Sequence, residues 1–134
     1  MEQEQETSNV PEQVQETIVE SGDIQKLEAT VKQYQSESKY IEAIGVLEEL
    51  LKIKKMNFGT NSRQFTRSCK QLCEICNILA VYYLKKEDIN SALDLLKKSE
   101  ELCENNELGQ AMTFNNMACY YRRIGKMRTA LNFL

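Results

Sequence analysis

The stretch Asn77 to Leu96, NILAVYYLKKEDINSALDLL, returns 38 residues later as Asn115 to Leu134, NNMACYYRRIGKMRTALNFL, with seven of twenty positions identical and no gap. A chain that copies itself at this kind of period is building one unit more than once, because a unit too small to bury its own apolar face buries it against a neighbouring copy. The identities are not spread evenly. Cys76, Leu79, Ala80 and Tyr83 are followed by Ala92 and Leu96, while Phe114, Met117, Ala118 and Tyr121 are followed by Ala130 and Leu134. A fainter first copy offers Leu27, Thr30, Val31 and Tyr34, followed by Ala43 and Leu47. In all three the interval from Tyr to Ala is nine residues and from Ala to Leu four.

Around these positions the apolar residues recur at helical spacing, as in Ile41, Ile44, Leu47, Leu50 and Leu51, and nothing alternates with period two over a strand's length. The polar segments SESK (Ser36 to Lys39), KKED (Lys85 to Asp88) and RIGK (Arg123 to Lys126) read as short turns, which place the helices they join antiparallel. A longer break, MNFGTNS, spans Met56 to Ser62. The fold class is therefore all-α. Small residues repeat where two helices must cross closely, so Ala80 and Ala118 are expected to face Ala92 and Ala130.

These residues resemble the tetratricopeptide repeat, which sets a large residue, then Leu and a small residue, then Tyr on its first helix, and a small and a bulky residue on its second. The resemblance implies a helical-hairpin solenoid of about two and a half repeats over residues 23–134, in units of about 24–55, 66–104 and 111–134, the last incomplete. The successive spacings, 49 and then 38 residues, exceed the common period of about 34, so extra turns or loops are expected at Met56 to Thr66 and near Asn105 to Gly109. Cys76 stands where a large aromatic is usual, Val31 where a smaller residue is usual, and no Pro follows either completed second helix. Asn ahead of Leu-Ala or Met-Ala, with Tyr-Tyr after it, is similar to the kinesin light chain type of this repeat.

The first 22 residues are rich in Glu and Gln and are expected to form a disordered acidic tail, the alternative being a short partner-binding helix around Val14 to Val19. Residues 1–23 hold seven acidic groups and no Lys or Arg, leaving 17 basic against 13 acidic groups in the remainder. A net of about +4, dispersed, does not suggest a nucleic-acid surface. No apolar run approaches the roughly 18 to 20 residues of a membrane span, and the N-terminus has no secretory pattern. Five cysteines in no disulfide spacing fit a reducing compartment, so cytosol is the expected location. The likeness to kinesin light chain repeats adds a cytoskeletal or ciliary assembly as a second reading of place and role.

No enzyme, cofactor or metal site is expected. The chain has no His, and its five glycines are isolated, so neither an imidazole base nor a phosphate-cradling loop is present. Glu48 with Glu49, and Glu100 with Glu101, read as solvated helix faces. Cys69, Cys73 and Cys76 fall on one helical face and suggest a metal or redox centre as the rival class. Zinc would need a fourth ligand, which Cys103 supplies only if the next helix folds back, and the same face carries Leu72, Leu79 and Ala80, which argues for small core cysteines.

What remains is recognition of a protein or peptide partner. The resemblance implies that the first helix of each unit lines a concave face. Candidate contacts there are Asn77, Leu84 and Lys85 in the second unit, and Met112, Asn115, Asn116, Arg122 and Arg123 in the third. Asn offers both a donor and an acceptor to a peptide backbone, or equally ties neighbouring helices together. The pair Arg122 and Arg123 suits acidic groups. The residues with which relatives grip a chaperone's terminal carboxylate are missing, since Glu28, Lys32, Ile78, Met112 and Asn116 occupy those positions. Leu131, Phe133 and Leu134 are expected to lie uncovered beside an incomplete stack, from which we expect either a longer gene product or association through this end.

Overall fold

The computed structural model describes residues 9–134, with side chains described from residue 22 onward. Among the described residues six α-helices follow one another: α1 Asn9–Ser36, α2 Tyr40–Phe58, α3 Arg63–Lys85, α4 Ile89–Leu102, α5 Glu107–Arg123 and α6 Met127–Asn132. There is no strand among the described residues. Consecutive helices pack in pairs, and α3 also lies against α5. Residues 1–8 of the expected tail lie outside the described residues, and the boundary expected at residue 22 falls inside α1.

The three short turns are one turn made three times. Ser38 and Glu87 take the left-handed backbone conformation at φ 57° and 61°, and Gly125 takes it at 82°. The next residue in each case donates its backbone N–H to a Tyr carbonyl five residues back: Lys39 to Tyr34 at 2.8 Å, Asp88 to Tyr83 at 2.9 Å and Lys126 to Tyr121 at 2.8 Å. The left-handed residue itself donates to Gln35, Leu84 and Arg122 respectively. Two carbonyls at each helix end are thereby satisfied, the pairing that closes a helix in a Schellman motif. The following helix opens in the same register, with Ala43, Ala92 and Ala130 donating to Lys39, Asp88 and Lys126. The nine-residue interval between Tyr and Ala is the span of this turn plus the first helical residues after it.

Burial follows the repeated positions with the exception of Leu134, whose equivalents Leu47 and Leu96 are buried. Val31, Ala43 and Leu47, then Ala80, Ala92 and Leu96, then Met117, Ala118 and Ala130 are all buried. One core cluster joins α1, α2 and α3 through Val31, Leu47, Leu50, Leu72 and Ile75. The other joins α3, α4 and α5 through Ala80, Leu84, Ala92, Leu96, Met117 and Tyr120.

Two expectations about loops and the chain's last residues change. The extra length between the first two units is taken up mostly as helix: α2 runs 19 residues and α3 runs 23, leaving only Gly59 to Ser62 between them. Ser62 caps α3, its hydroxyl accepting from the Phe65 N–H at 3.2 Å, which sets the start of that helix. At the other end Phe133 is not left bare. Its ring stacks on Tyr121 at 5.5 Å between centroids and leans on Phe114 at 5.9 Å. Leu131 and Leu134 do stand out, 64% and 81% exposed.

Candidate functional site: the α3 and α5 helices

Asn77 is 1% exposed and sits where α3 meets α5. Its Nδ2 donates to the Cys73 carbonyl at 3.0 Å and to Thr113 Oγ1 at 3.0 Å, while its Oδ1 accepts from Asn116 Nδ2 at 2.9 Å. Both amide hydrogens and the carbonyl of Asn77 are thus used inside the protein. Asn116 is 9% exposed and Thr113 fully buried. A buried network that uses both amide hydrogens and the carbonyl of Asn77 fixes the relative register of two helices, because any slide leaves buried donors unpaired. Nearby, Ser99 of α4 gives its hydroxyl to the Cys73 carbonyl at 3.5 Å, tying in a third helix.

The expected contact residues therefore divide. Asn77 and Asn116 face each other and hold helices together, and Leu84 lies 4% exposed in the core with Tyr120. These three do not line a surface, for the reason that their side chains are already covered. Lys85, Asn115, Arg122 and Arg123 are exposed, and Met112 is partly so. The outer surface of α3 adds two residues that were not among the candidate contacts, Ile78 at 37% exposure, named above only for the missing chaperone clamp, and Tyr82 at 52%. They lie four residues apart and so share a face with Lys85. Their signal was present, an Ile off the repeated apolar positions and the first residue of the repeated Tyr-Tyr pair.

A second feature missed in the sequence is Lys54. This lysine is 2% exposed, between α1, α2 and α3, with Nζ 2.7 Å from Glu28 Oε1 and 2.8 Å from Ser68 Oγ. A buried ammonium needs such partners, and Glu28, itself partly open to solvent, neutralises it. The three belong to a polar cavity of about 340 Å³ that also touches Lys32, Arg67 and Lys70. From the sequence Lys54 looked like one more charge on a helix end; burial follows from the length of α2, which carries it beneath α1 and α3.

The cysteines are free thiols. Burial pushes the Cys76 thiol up to about 12, with Cys73 adding to the rise and a hydrogen bond to Ser99 opposing it. Burial likewise raises Cys69 and Cys73. A thiol held protonated is a poor nucleophile and a poor metal ligand. Among the described residues no three Cys, Asp or Glu side chains converge as a metal site would require. Nor, among these residues, is any helix long and apolar enough to cross a membrane.

Comparison of the chain with protein-family models, curated proteins and solved structures returns no match.

Proposed function

We propose that the chain is a noncatalytic protein-binding module built as a tetratricopeptide-like solenoid, which takes a protein or peptide partner along the exposed surfaces of α3 and α5. The observation that carries this reading is the turn repeated three times in register with Tyr and Ala. It argues for one hairpin used three times, and stacked hairpins of this kind expose a continuous surface along their first helices. On that surface Ile78 and Tyr82 supply apolar anchors and Lys85, Arg122 and Arg123 supply charge, a mixture typical of recognition surfaces. The packing of Cys73, Cys76 and Cys103 inside the helix core weighs against the rival metal or redox class.

A fixed place in a larger cytoskeletal or ciliary assembly has only the kinesin-light-chain-like pattern behind it and stays secondary. Affinity purification followed by mass spectrometry tests the main reading, comparing the wild-type chain with Tyr82→Ala and with the triple variant Lys85→Glu, Arg122→Glu, Arg123→Glu. A partner recovered by the wild type and lost by both variants supports the surface. Recovery unchanged in both would move the binding surface elsewhere, and robust turnover of a small molecule would remove the noncatalytic reading.

A further inference from the structure

We propose that the cavity between α1 and α3, floored by Lys54 of α2, is an anion site that takes a phosphate group, either free or carried as a monoester. The site arises from a difference between two joints. The backbones of α3 and α5 approach each other closely, whereas among the described residues those of α1 and α3 do not. Glu28 stands in α1 where Asn77 stands in α3, but the α3 positions equivalent to Thr113 and Asn116 are Ile75 and Ile78, which offer it no polar group. Glu28 pairs instead with Lys54 at 2.7 Å, and the Gln71 amide reaches Gln35 across the gap at 3.0 Å. The space left between the helices is the polar cavity of about 340 Å³.

The charges around this cavity specify its occupant. Lys32, Lys54, Arg67 and Lys70 line it against two carboxylates, Glu28 and Glu74. Glu28 is committed to Lys54, and among the described residues Lys32, Arg67 and Lys70 form no ion pair. Cations gathered in a concavity repel one another and raise the local concentration of anions. The excess of about two positive charges matches a phosphate monoester, which carries about −1.5 to −2 at neutral pH, better than it matches a single carboxylate. Arg67 brings the planar fork that suits phosphate oxygens, and Lys32 and Lys70 act as point charges beside it.

Lys54 sets the cavity apart from a solvated basic face. The residue is 2% exposed, its ammonium bonds Glu28 and Ser68, and among the described residues its third N–H has no partner. A buried ion pair adds little stability over an apolar side chain of similar length, so stability alone does not account for a lysine at this position. An anion in the cavity would take the remaining N–H.

The probes are O-phosphoserine and inorganic phosphate, each titrated into the whole nitrogen-15-labelled chain at neutral pH and constant ionic strength, with glutamate as the carboxylate comparison. The backbone amide shifts of Ser68 and Gln71 are the readout. We expect saturation by O-phosphoserine with a Kd of about 1 mM, the range open to so small a ligand, and glutamate at least about tenfold weaker. Arg67→Gln and Lys70→Gln, both at exposed positions, should each weaken phosphate binding about tenfold, and Lys126→Gln, in the turn before α6, should leave it unchanged. Lys54→Met should weaken binding by a similar factor with the melting temperature unchanged or higher, a separation that a purely structural lysine would not show. Equal affinity for the two phosphate probes assigns the site to the phosphate group itself, and tighter binding of O-phosphoserine assigns it to a phosphorylated side chain; both support the inference. Shifts that do not saturate, glutamate binding as tightly as phosphate, or phosphate affinity unchanged in both Arg67→Gln and Lys70→Gln would overturn it, and none of these results bears on the exposed surfaces of α3 and α5.

Discussion

Replacing Asn77 by Leu removes a hub while keeping an apolar side chain of similar reach in its place. In the wild type the Asn77 amide satisfies Thr113 and Asn116 at 3.0 and 2.9 Å. In the variant the Thr113 hydroxyl can turn to a carbonyl of its own helix, so its loss is small. The Asn116 amide has no such refuge, and leaving a buried donor unpaired costs about 1 to 3 kcal/mol. Leu adds apolar contact that offsets part of this, giving an expected net loss of about 2 kcal/mol, or roughly 6 to 10 °C in Tm for a domain of this size. Urea denaturation followed by far-ultraviolet circular dichroism measures it. The sharper readout is the double variant Asn77→Leu, Asn116→Leu. Removing both partners removes the orphan, so the double should be less destabilised than the sum of the singles by about 1 to 2 kcal/mol. Asn115→Leu is the internal control, because the same residue at the same repeat position is exposed, and it should stay within about 0.5 kcal/mol of wild type. Strict additivity of Asn77→Leu and Asn116→Leu, or an Asn77→Leu chain as stable as wild type, would refute the claim that this amide pair sets the register of α3 on α5.

Other expectations are more local. Glu87→Gly should stabilise by about 0.5 to 1 kcal/mol, since a left-handed residue with a Cβ is strained where Gly is not, and Gly125→Ala should destabilise by a similar amount; thermal melts of the two variants check both signs. Gly45, in the exposed middle of α2 with open space around it, should accept Ala with a gain of about 0.5 to 1 kcal/mol, whereas a Cβ on Gly109 would come within 2.4 Å of Asn106 Nδ2 and 3.1 Å of Cys73 Sγ and should cost stability in the same assay. The raised Cys76 thiol gives a pH signature. In the unfolded chain it ionises near its ordinary value of 9.0, in the folded protein near 12, so the folded state holds the proton more tightly and stability falls as pH rises above about 9. Cys76→Ala should flatten that decline in Tm against pH.

The turns and the core were legible because they rest on local rules. Tyr34, Tyr83 and Tyr121, each nine residues ahead of an Ala, mark a helix end, a turn and a helix start, and packing of small residues at Ala80 and Ala92 follows from helix geometry. The long break expected at Met56 to Thr66 was less legible. Loop signals such as Asn-Phe-Gly-Thr-Asn mark that a helix ends without saying how far its neighbours extend, and here both extend. The candidate contacts were half legible for a related reason. Asn77, Asn115 and Asn116 look alike in sequence, and only the presence of α5 beside α3 decides that Asn77 is used internally while Asn115, its repeat equivalent, is not. Lys54 was invisible because its burial depends on three helices meeting over it.

The central claim is that the exposed surfaces of α3 and α5 hold a protein partner. Site-specific photocrosslinking tests it most directly, with a benzophenone amino acid placed singly at Tyr82, Lys85 and Asn115, and at Asp94 on the outer side of α4 as the control, followed by mass spectrometry of the adducts. The account predicts the same partner attached from the α3 and α5 positions and none from Asp94. Adducts from Asp94 alone, or no protein adduct from any of the α3 and α5 positions, would contradict it.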